Sequence, residues 1–504
     1  MQRRASLLAQ YGAFLDTTLS QRLTRQRRES SAWLVPWVQD VVAHVPAYGE
    51  FLAQQGFDLA ALRSVADFAC LPLMTKDNYM RVFPLPQRCR DGRLASCETV
   101  AVSSGSTGTP MFWPRSITDE LDIATRFEQV FVDSFRAHER TTLAIICFAM
   151  GTWVGGVFSA QCCRLLNQKG LPITVLTPGN NKAEILRVVT ELGPLFEQIV
   201  LLGYPPFIKD VIDSGRAARI DWARYAPKLI FAGEVFSEEW RELVCQRIGA
   251  SDPSTATASL YGTADGGVLG NETPLSITIR RMLATQPILA AELFGEARLP
   301  TLVQYDPCSR YFEVTNNTLV VSGESGVPLV RYHIADKGGL FAFDELMQWI
   351  AGRIGNPLAE LAESARDAVR DLPFVYVFGR ADFTVSYFGA NVYPENISVG
   401  LEQTEIRDWV TGKFVLEVAS TEDLNEVLSV TIELVPAEHA NEERRVVAAQ
   451  VLQRELVRLN SEYANYVPPA SQPLRINLLD NGDPEFFPVG VKHRYTRKSG
   501  TGMQ

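Results

Sequence analysis

Four short runs of unbroken apolar character recur between residues 143 and 234: LAIICFAM (143–150), PITVLTPG (172–179), QIVLLG (198–203) and PKLIFAGE (227–234). Runs of this length predict strands buried on both faces. The stretches between them, such as FSAQCCRLLNQKG and EEWRELVCQRIG, carry apolar residues at helical spacing. Strands alternating with amphipathic helices predict an α/β fold whose mostly parallel sheet has helices on both faces.

The pattern differs on either side. WLVPWVQDVVAHVP predicts a helix closed by Pro46, and FDLAALRSVADFACLPLMTK a second helical stretch ended by Pro72. YFEVTNNTLVVSG (311–323) predicts a hairpin, with Asn316-Asn317 turning between two β-rich runs. Residues from about 340 to 370 read as helix. After FVYVFGRAD the strands alternate (FVLEVAS, VLSVTIELV), a long amphipathic helix follows (EERRVVAAQVLQRELVRLN), and LRINLLD is a last strand. These segments predict a separate small α+β unit. The expected division is 1–381 for a large N-terminal domain and 382–504 for the small one.

Composition narrows the class. The 504 residues are 46% hydrophobic and 21% charged, which suits a folded globular chain. No apolar run reaches the roughly 18 residues that span a bilayer. The basic start, MQRRASLLAQYGAF, lacks the apolar core of a signal peptide. Eight cysteines with no CxxC argue against a disulfide framework or a zinc site, and adjacent Cys162 and Cys163 read as buried thiols. The expectation is a cytoplasmic protein with no membrane partner. A net charge of −10 disfavours non-specific nucleic-acid binding but leaves room for an anionic small molecule held by backbone amides.

Four segments carry candidate chemistry. Ser103-Ser104-Gly105-Ser106-Thr107-Gly108-Thr109-Pro110 is a Ser/Thr/Gly loop able to cradle a polyphosphate, although it lacks the GK[ST] of a P-loop. A plain surface turn is the alternative. Tyr261-Gly262-Thr263-Ala264-Asp265-Gly266-Gly267 offers an aromatic to stack a base and a carboxylate for Mg²⁺, or is a structural loop. Val330-Arg331-Tyr332-His333-Ile334-Ala335-Asp336 places an Asp at the end of an apolar strand, where it suits two ribose hydroxyls or a helix cap. Gly379-Arg380-Ala381-Asp382 puts an Arg and an Asp at the expected domain boundary.

In order and spacing these segments resemble the adenylate-forming acyl-CoA synthetase superfamily, most of all its phenylacetate–CoA ligase branch. The resemblance covers about 40 to 500. HVPAY and LPLMTKDNY are similar to that branch's N-terminal segment, VSSGSTGTPMF to its phosphate loop, and FAMGTWVGG to the stretch before its acid pocket. FAGEVFSEEWR resembles its Gly-Glu element, YGTADGG its adenine-stacking element, VRYHIAD its ribose segment, and GRADFTVSYFGANVYP its hinge. Four departures stand out. Asp265 replaces a Glu, Ala264 a Thr, and Ala335 a Gly, and the C-terminal Gly-Lys is broken into Phe487-Pro488-Val489-Gly490-Val491-Lys492-His493-Arg494-Tyr495-Thr496-Arg497-Lys498.

The resemblance implies ATP-dependent activation of a carboxylic acid to an acyl adenylate, then transfer to a thiol, with CoA as co-substrate. The large domain would bind AMP, and the small one would be a mobile lid. The loop residues Ser103 to Thr109, with Gly233, Glu234, Gly262 and Thr263, would line the nucleotide. Tyr261 would stack adenine, Asp336 would hold ribose, Arg380 would contact ribose or phosphate, and Asp265 would bind Mg²⁺. Lys492 would be the catalytic lysine of adenylation, with Lys498 as its rival and a solvated basic tail as the other reading. The lid would turn about Asp382 and bring Gly389 to the site. Phe148, Gly151, Trp153 and Ser259 would border the acid, and Trp153 suggests an aromatic or apolar one. Two alternatives keep part of this: acyl transfer to an amine, carrier protein or partner enzyme, and a non-catalytic nucleotide-binding relative, motivated by the departures. A homodimer is compatible with either.

Overall fold

The computed structural model describes residues 2–22, 31–102, 111–152, 154–296, 298–380, 385–388, 390–420, 426–460, 463–464, 467–488 and 495–496. The 103–109 loop, Trp153, Asp382, Gly389, Lys492 and Lys498 lie outside these residues, as does the side chain of Arg380.

Strands β1 (Thr99–Val102) and β2 (Phe112–Arg115) form an antiparallel pair that brackets the Ser/Thr/Gly segment. The apolar runs become β3 (Thr142–Ile146), β4 (Ile173–Leu176), β5 (Gln198–Gly203) and β6 (Lys228–Ala232), joined by β7 (Thr257–Thr263). These five lie parallel in the order β4-β3-β5-β6-β7. Successive side chains point to opposite faces of a strand. Ile146, Leu202 and Ile230 therefore pack under Phe127, Phe131, Cys162 and Leu166. Their neighbours Ile145, Leu201 and Leu229 pack on the other face under Ile185, Val188, Val211 and Val244. The crossover helices Val154–Gln168, Lys182–Glu191, Pro205–Ala217 and Glu238–Arg247 supply these faces.

The sheet is mixed. After β7 the chain reverses into β8 (Gly267–Asn271), then β9 (Thr301–Gln304), β10 (Tyr311–Thr315), β11 (Thr318–Gly323), β12 (Leu329–Phe341) and β13 (Phe374–Arg380). These continue antiparallel as β8-β9-β13-β12-β11-β10, giving eleven strands in one sheet among the described residues. In the parallel half the strands are buried under helices on both faces, which is why their sequences read as unbroken apolar runs. The expected hairpin is present: Thr315 pairs with Thr318, and Asn316 and Asn317 sit at φ 51° and 59°, as a tight two-residue turn with left-handed positions requires.

The helix expected to close at Pro46 is Leu34–His44, and Pro46 itself starts the next one, Pro46–Gln54, because proline's fixed φ suits a first helical position. Two sequence expectations are corrected. The 57–76 stretch is not one helix but the single turns Leu59–Ala61 and Val65–Phe68, separated where Ser64 and Asp67 form a capping box. The 340–370 segment breaks into Phe343–Arg353, Pro357–Glu360 and Glu363–Arg366, interrupted by Gly355 at φ 149° and by Pro357.

Beyond residue 384, β14 (Val385–Tyr387) pairs with β15 (Ala390–Val392). A three-stranded sheet follows: β16 (Val410–Ser420) antiparallel to β17 (Glu426–Leu434), and β17 parallel to β18 (Arg475–Leu479). The helix Glu442–Leu459 covers it, and Val385 to Leu478 contribute one hydrophobic cluster of their own. Among the described residues no helix is long and apolar enough to cross a membrane.

Candidate active site

Chain order creates the site. From β3 the chain crosses to β4 on one side and then to β5 on the other. Where strand order reverses in this way, the diverging connections open a crevice beyond the carboxyl ends of the strands. Three of the sequence motifs lie on that edge. Phe148 follows β3, Gly233 and Glu234 follow β6, Tyr261 to Thr263 end β7, and Ala264 to Gly266 make the turn into β8.

Phe148 is buried and meets Tyr204, which follows β5, edge-on at 5.1 Å between ring centres. Gly233 has φ 86°, and a Cβ there would meet the Tyr204 ring at 2.8 Å, so only glycine fits. The Tyr204 hydroxyl is pushed up to about 12 by burial and by Glu234. Gly151 is exposed at φ 94°. Ser259 is buried, and its amide donates to Glu272 Oε2 at 2.8 Å.

Tyr261 and Asp336 come from distant parts of the chain and meet in the interior, the phenol donating to Asp336 Oδ2 at 2.7 Å. Asp336 is not at a strand end, as its sequence suggested. Strand β12 runs on to Phe341, and Asp336 lies within it, paired across the ladder with Arg380 and next to a bulge at Lys337 and Gly338. The residue before it, Ala335, has φ 64°. An alanine here takes the left-handed conformation that glycine adopts freely, at a cost of roughly 1 kcal/mol. The residue before Asp336 thus keeps a backbone geometry suited to glycine.

Asp265 is buried, with Tyr332 donating to its Oδ2 and the Lys76 ammonium 3.4 Å from the same oxygen. Arg115, at the end of β2, donates to the Ala264 carbonyl and to Ser325 Oγ, the latter at 2.9 Å. Burial pushes the Arg115 guanidinium down and the nearby Asp119 carboxyl up to about 6. The end of the β1–β2 pair is therefore tied directly to the Asp265 turn. Thr263 Oγ1 accepts from Gly266 N at 3.0 Å and closes that turn, and a Cβ on Gly262 would meet the Gly267 carbonyl at 3.2 Å. Among the described residues no three His, Cys, Asp or Glu side chains cluster as a metal cage. Mg²⁺ that accompanies substrate phosphates needs only one or two protein carboxylates. Asp265 fits that requirement.

Several important residues gave no separate signal in the sequence. Lys76 sits in a quoted motif, yet nothing in that motif ties it to Asp265, 189 positions away. Arg241 is fully buried and bridges Glu272 (2.6 and 3.0 Å) and Glu238 (2.9 Å) under β7. The C-terminal unit touches the large unit through Lys209 to the Val410 carbonyl (2.8 Å), Arg247 to Asp408 (2.9 Å), Arg298 to Glu395 (3.3 Å) and Tyr495 to Glu234.

Between the two units lies a cavity of about 100 Å³, lined by Ser237, Glu239, Arg280, Arg298, Glu395 and Glu402 among others. Burial lifts the Glu402 carboxyl to about 8, against hydrogen bonds from Ser237 that lower it. Its unfolded value is 4.5, so the folded chain binds more protons between 4.5 and 8. The stability Glu402 contributes is full below 4.5 and is lost as pH rises through 8. Glu402→Gln should flatten the melting temperature over this range. Thermal melts of both proteins across the range check it, and parallel curves would contradict it.

No protein-family profile and no curated protein matches the chain. Solved structures do. A 2-hydroxyisobutyryl-CoA ligase in the postadenylation state with R3-HIB-AMP superposes with a TM-score of 0.65 at 15% identity, over 95% of this chain and 89% of that one. The chain shares the fold of that ligase. The same ligase in its thioesterification state with 2-HIB-AMP and CoA gives 0.53, over 94% and 90%. Its open conformation gives 0.51, over 95% and 91%, both at 15% identity. Of these three states, the arrangement of this ligase fold is most similar to the postadenylation one.

Proposed function

We propose that the protein activates a carboxylic acid with ATP, releasing pyrophosphate, and passes the acyl group to CoA. The observation that carries this reading is the meeting of Tyr261 with Asp336, beside Asp265, at the switch-point edge of a sheet with the ligase fold. Tyr261 would place the adenine and Asp336 would accept from the ribose hydroxyls. The 103–109 loop would hold the β- and γ-phosphates. Asp265 would hold Mg²⁺, whose charge would offset that of the phosphates.

A carboxylate is a poor electrophile because its leaving group would be oxide. Its oxygen attacks the α-phosphorus, the bond to the bridging oxygen breaks, and pyrophosphate leaves with that electron pair. The chain's tasks are alignment and charge neutralisation. Lys76 and Arg115 supply fixed positive charge beside the Asp265 turn, and Arg380 would reach ribose or phosphate from its position opposite Asp336. The CoA thiol then attacks the acyl carbon and AMP departs, its phosphate taking the electron pair while the thiol proton passes to solvent.

Residues from 382 on would act as a lid hinged at Asp382, with Gly389 leaving room for the thiol arm. Phe148, Gly151, Trp153 and Ser259 would border the acid, and the buried Phe148–Tyr204 pair favours an apolar or aromatic one. Glu234 would serve the nucleotide edge with Gly233, Gly262 and Thr263. That Ala335 holds the left-handed backbone supports a working site over a non-catalytic relative.

Lys492 would bridge the attacking carboxylate and the α-phosphate. Lys492→Ala should lower acyl-adenylate formation by on the order of 10²–10³, while sparing thioester formation from a supplied acyl adenylate, which no longer needs that charge. Lys498→Ala should be nearly silent in both. The opposite pattern, measured in the two half-reactions, assigns the role to Lys498. Detection of the released CoA thioester, against acylated amine or protein, decides the acceptor.

A further inference from the structure

We infer that Tyr495 is a positioning residue for the adenylation half-reaction, latching the C-terminal unit to the Gly233-Glu234 turn. This rests on the proposed function. Its side chain bridges two separately cored parts of the chain. On one side it is built into the small sheet: its carbonyl accepts from Leu416 N at 2.7 Å, its ring lies 4.8 Å from that of Phe414, and Thr496 bridges to Leu416. On the other side its hydroxyl donates to Glu234 Oε2.

The acceptor is equally well held. Glu234 follows Gly233, whose φ of 86° and contact with Tyr204 admit no other residue. The latch therefore ends on the turn whose neighbour Tyr204 packs on Phe148, a proposed wall of the acid pocket. The donor has to be neutral. Glu234, Glu395 and Glu402 all face Tyr495, and the first two belong to opposite sides of the contact. A phenol kept protonated by burial and by these carboxylates can bridge where a second acid would repel. The chain leaves Tyr495 only three residues after Lys492. Three residues of extended backbone reach about 10 Å. With Lys492 in its proposed role, a Tyr495 fixed on Glu234 would tether that lysine within this reach of the Gly233-Glu234 turn.

The reaction has two steps and the latch should matter to one. Tyr495→Phe keeps the ring on Phe414 and removes only the donor. A hydrogen bond to a charged acceptor at this distance from solvent should be worth about tenfold in the step it supports. We expect carboxylate-dependent exchange of pyrophosphate into ATP to fall by about that factor. Thioester formation from a supplied acyl adenylate and CoA should stay at the wild-type rate. Adding Tyr495→Phe to Glu234→Ala should cost nothing further, because the pair acts as one. Equal losses in both half-reactions would mean a merely structural residue and overturn the inference. So would an exchange rate equal to wild type, or full additivity in the double variant. If the wild-type chain exchanges with no acid of a broad library, the underlying reading fails, and the latch with it.

Discussion

Asp336→Ala is expected to weaken ATP and AMP binding by on the order of 100-fold, because two ribose hydroxyls would each lose a charge-assisted acceptor. The carboxylate is 5% exposed and its position is not adjustable. It is set by the left-handed Ala335, by the ladder pairing with Arg380, and by the Tyr261 phenol at 2.7 Å. The substitution also takes this acceptor from the Tyr261 hydroxyl in a buried setting, at about 1–3 kcal/mol of stability. Asp336→Asn keeps an acceptor oxygen without the charge and should fall between. Calorimetric titration with AMP reads both variants. Affinities equal to wild type would remove Asp336 from the ribose site.

Glu272→Ala is expected to have the largest effect on the fold itself. Glu272 has no exposed surface and receives Arg241 through both oxygens, at 2.6 and 3.0 Å. Its removal leaves a fully buried guanidinium with Glu238 as its remaining carboxylate. Breaking one partner of a buried ion pair costs about 3–5 kcal/mol. The second carboxylate, at 2.9 Å, places the expectation at the lower end of that range, about 3 kcal/mol. The damage should not stay local. Glu272 Oε2 also takes the Ser259 amide, two residues before Tyr261 on β7, so the strand carrying the candidate site loses a clamp. Urea denaturation followed by tryptophan fluorescence measures the loss. An unchanged midpoint would show that Arg241 is compensated elsewhere.

The parallel half of the sheet was legible because its strands are buried on both faces, so their sequences read as unbroken apolar runs. The Asn316-Asn317 hairpin was legible because its turn needs residues that tolerate positive φ. Helix ends were read less well. Proline both starts and stops helices, and Pro46 does both: Leu34–His44 ends just before it and Pro46–Gln54 begins on it. Asp336 was singled out by motif but placed at the end of a strand, since nothing in VRYHIAD marks the partner strand β13 that carries β12 onward to Phe341. The pairs that meet across long separations could not be read at all. Lys76 with Asp265, Arg115 with the Ala264 carbonyl, Arg241 with Glu272 and Tyr495 with Glu234 each join groups brought together only by the fold of the whole chain. The 103–109 loop, Trp153, Asp382 and Lys492 remain expectations from sequence, outside the described residues. What the structure adds is the setting on either side of them: β1 and β2 bracket the loop, and Tyr495 follows the lysine.

The central claim is that this chain makes an acyl adenylate from ATP and a carboxylic acid. The most direct test is exchange of labelled pyrophosphate into ATP, run with the purified protein and Mg²⁺ over a library of aromatic and aliphatic acids, without CoA. Acid activation is reversible before the acyl group moves on, so label should enter ATP in the presence of a cognate acid and not in its absence. Exchange that depends on an added acid is the predicted result. No exchange with any acid, from a folded protein that binds ATP, would contradict the account.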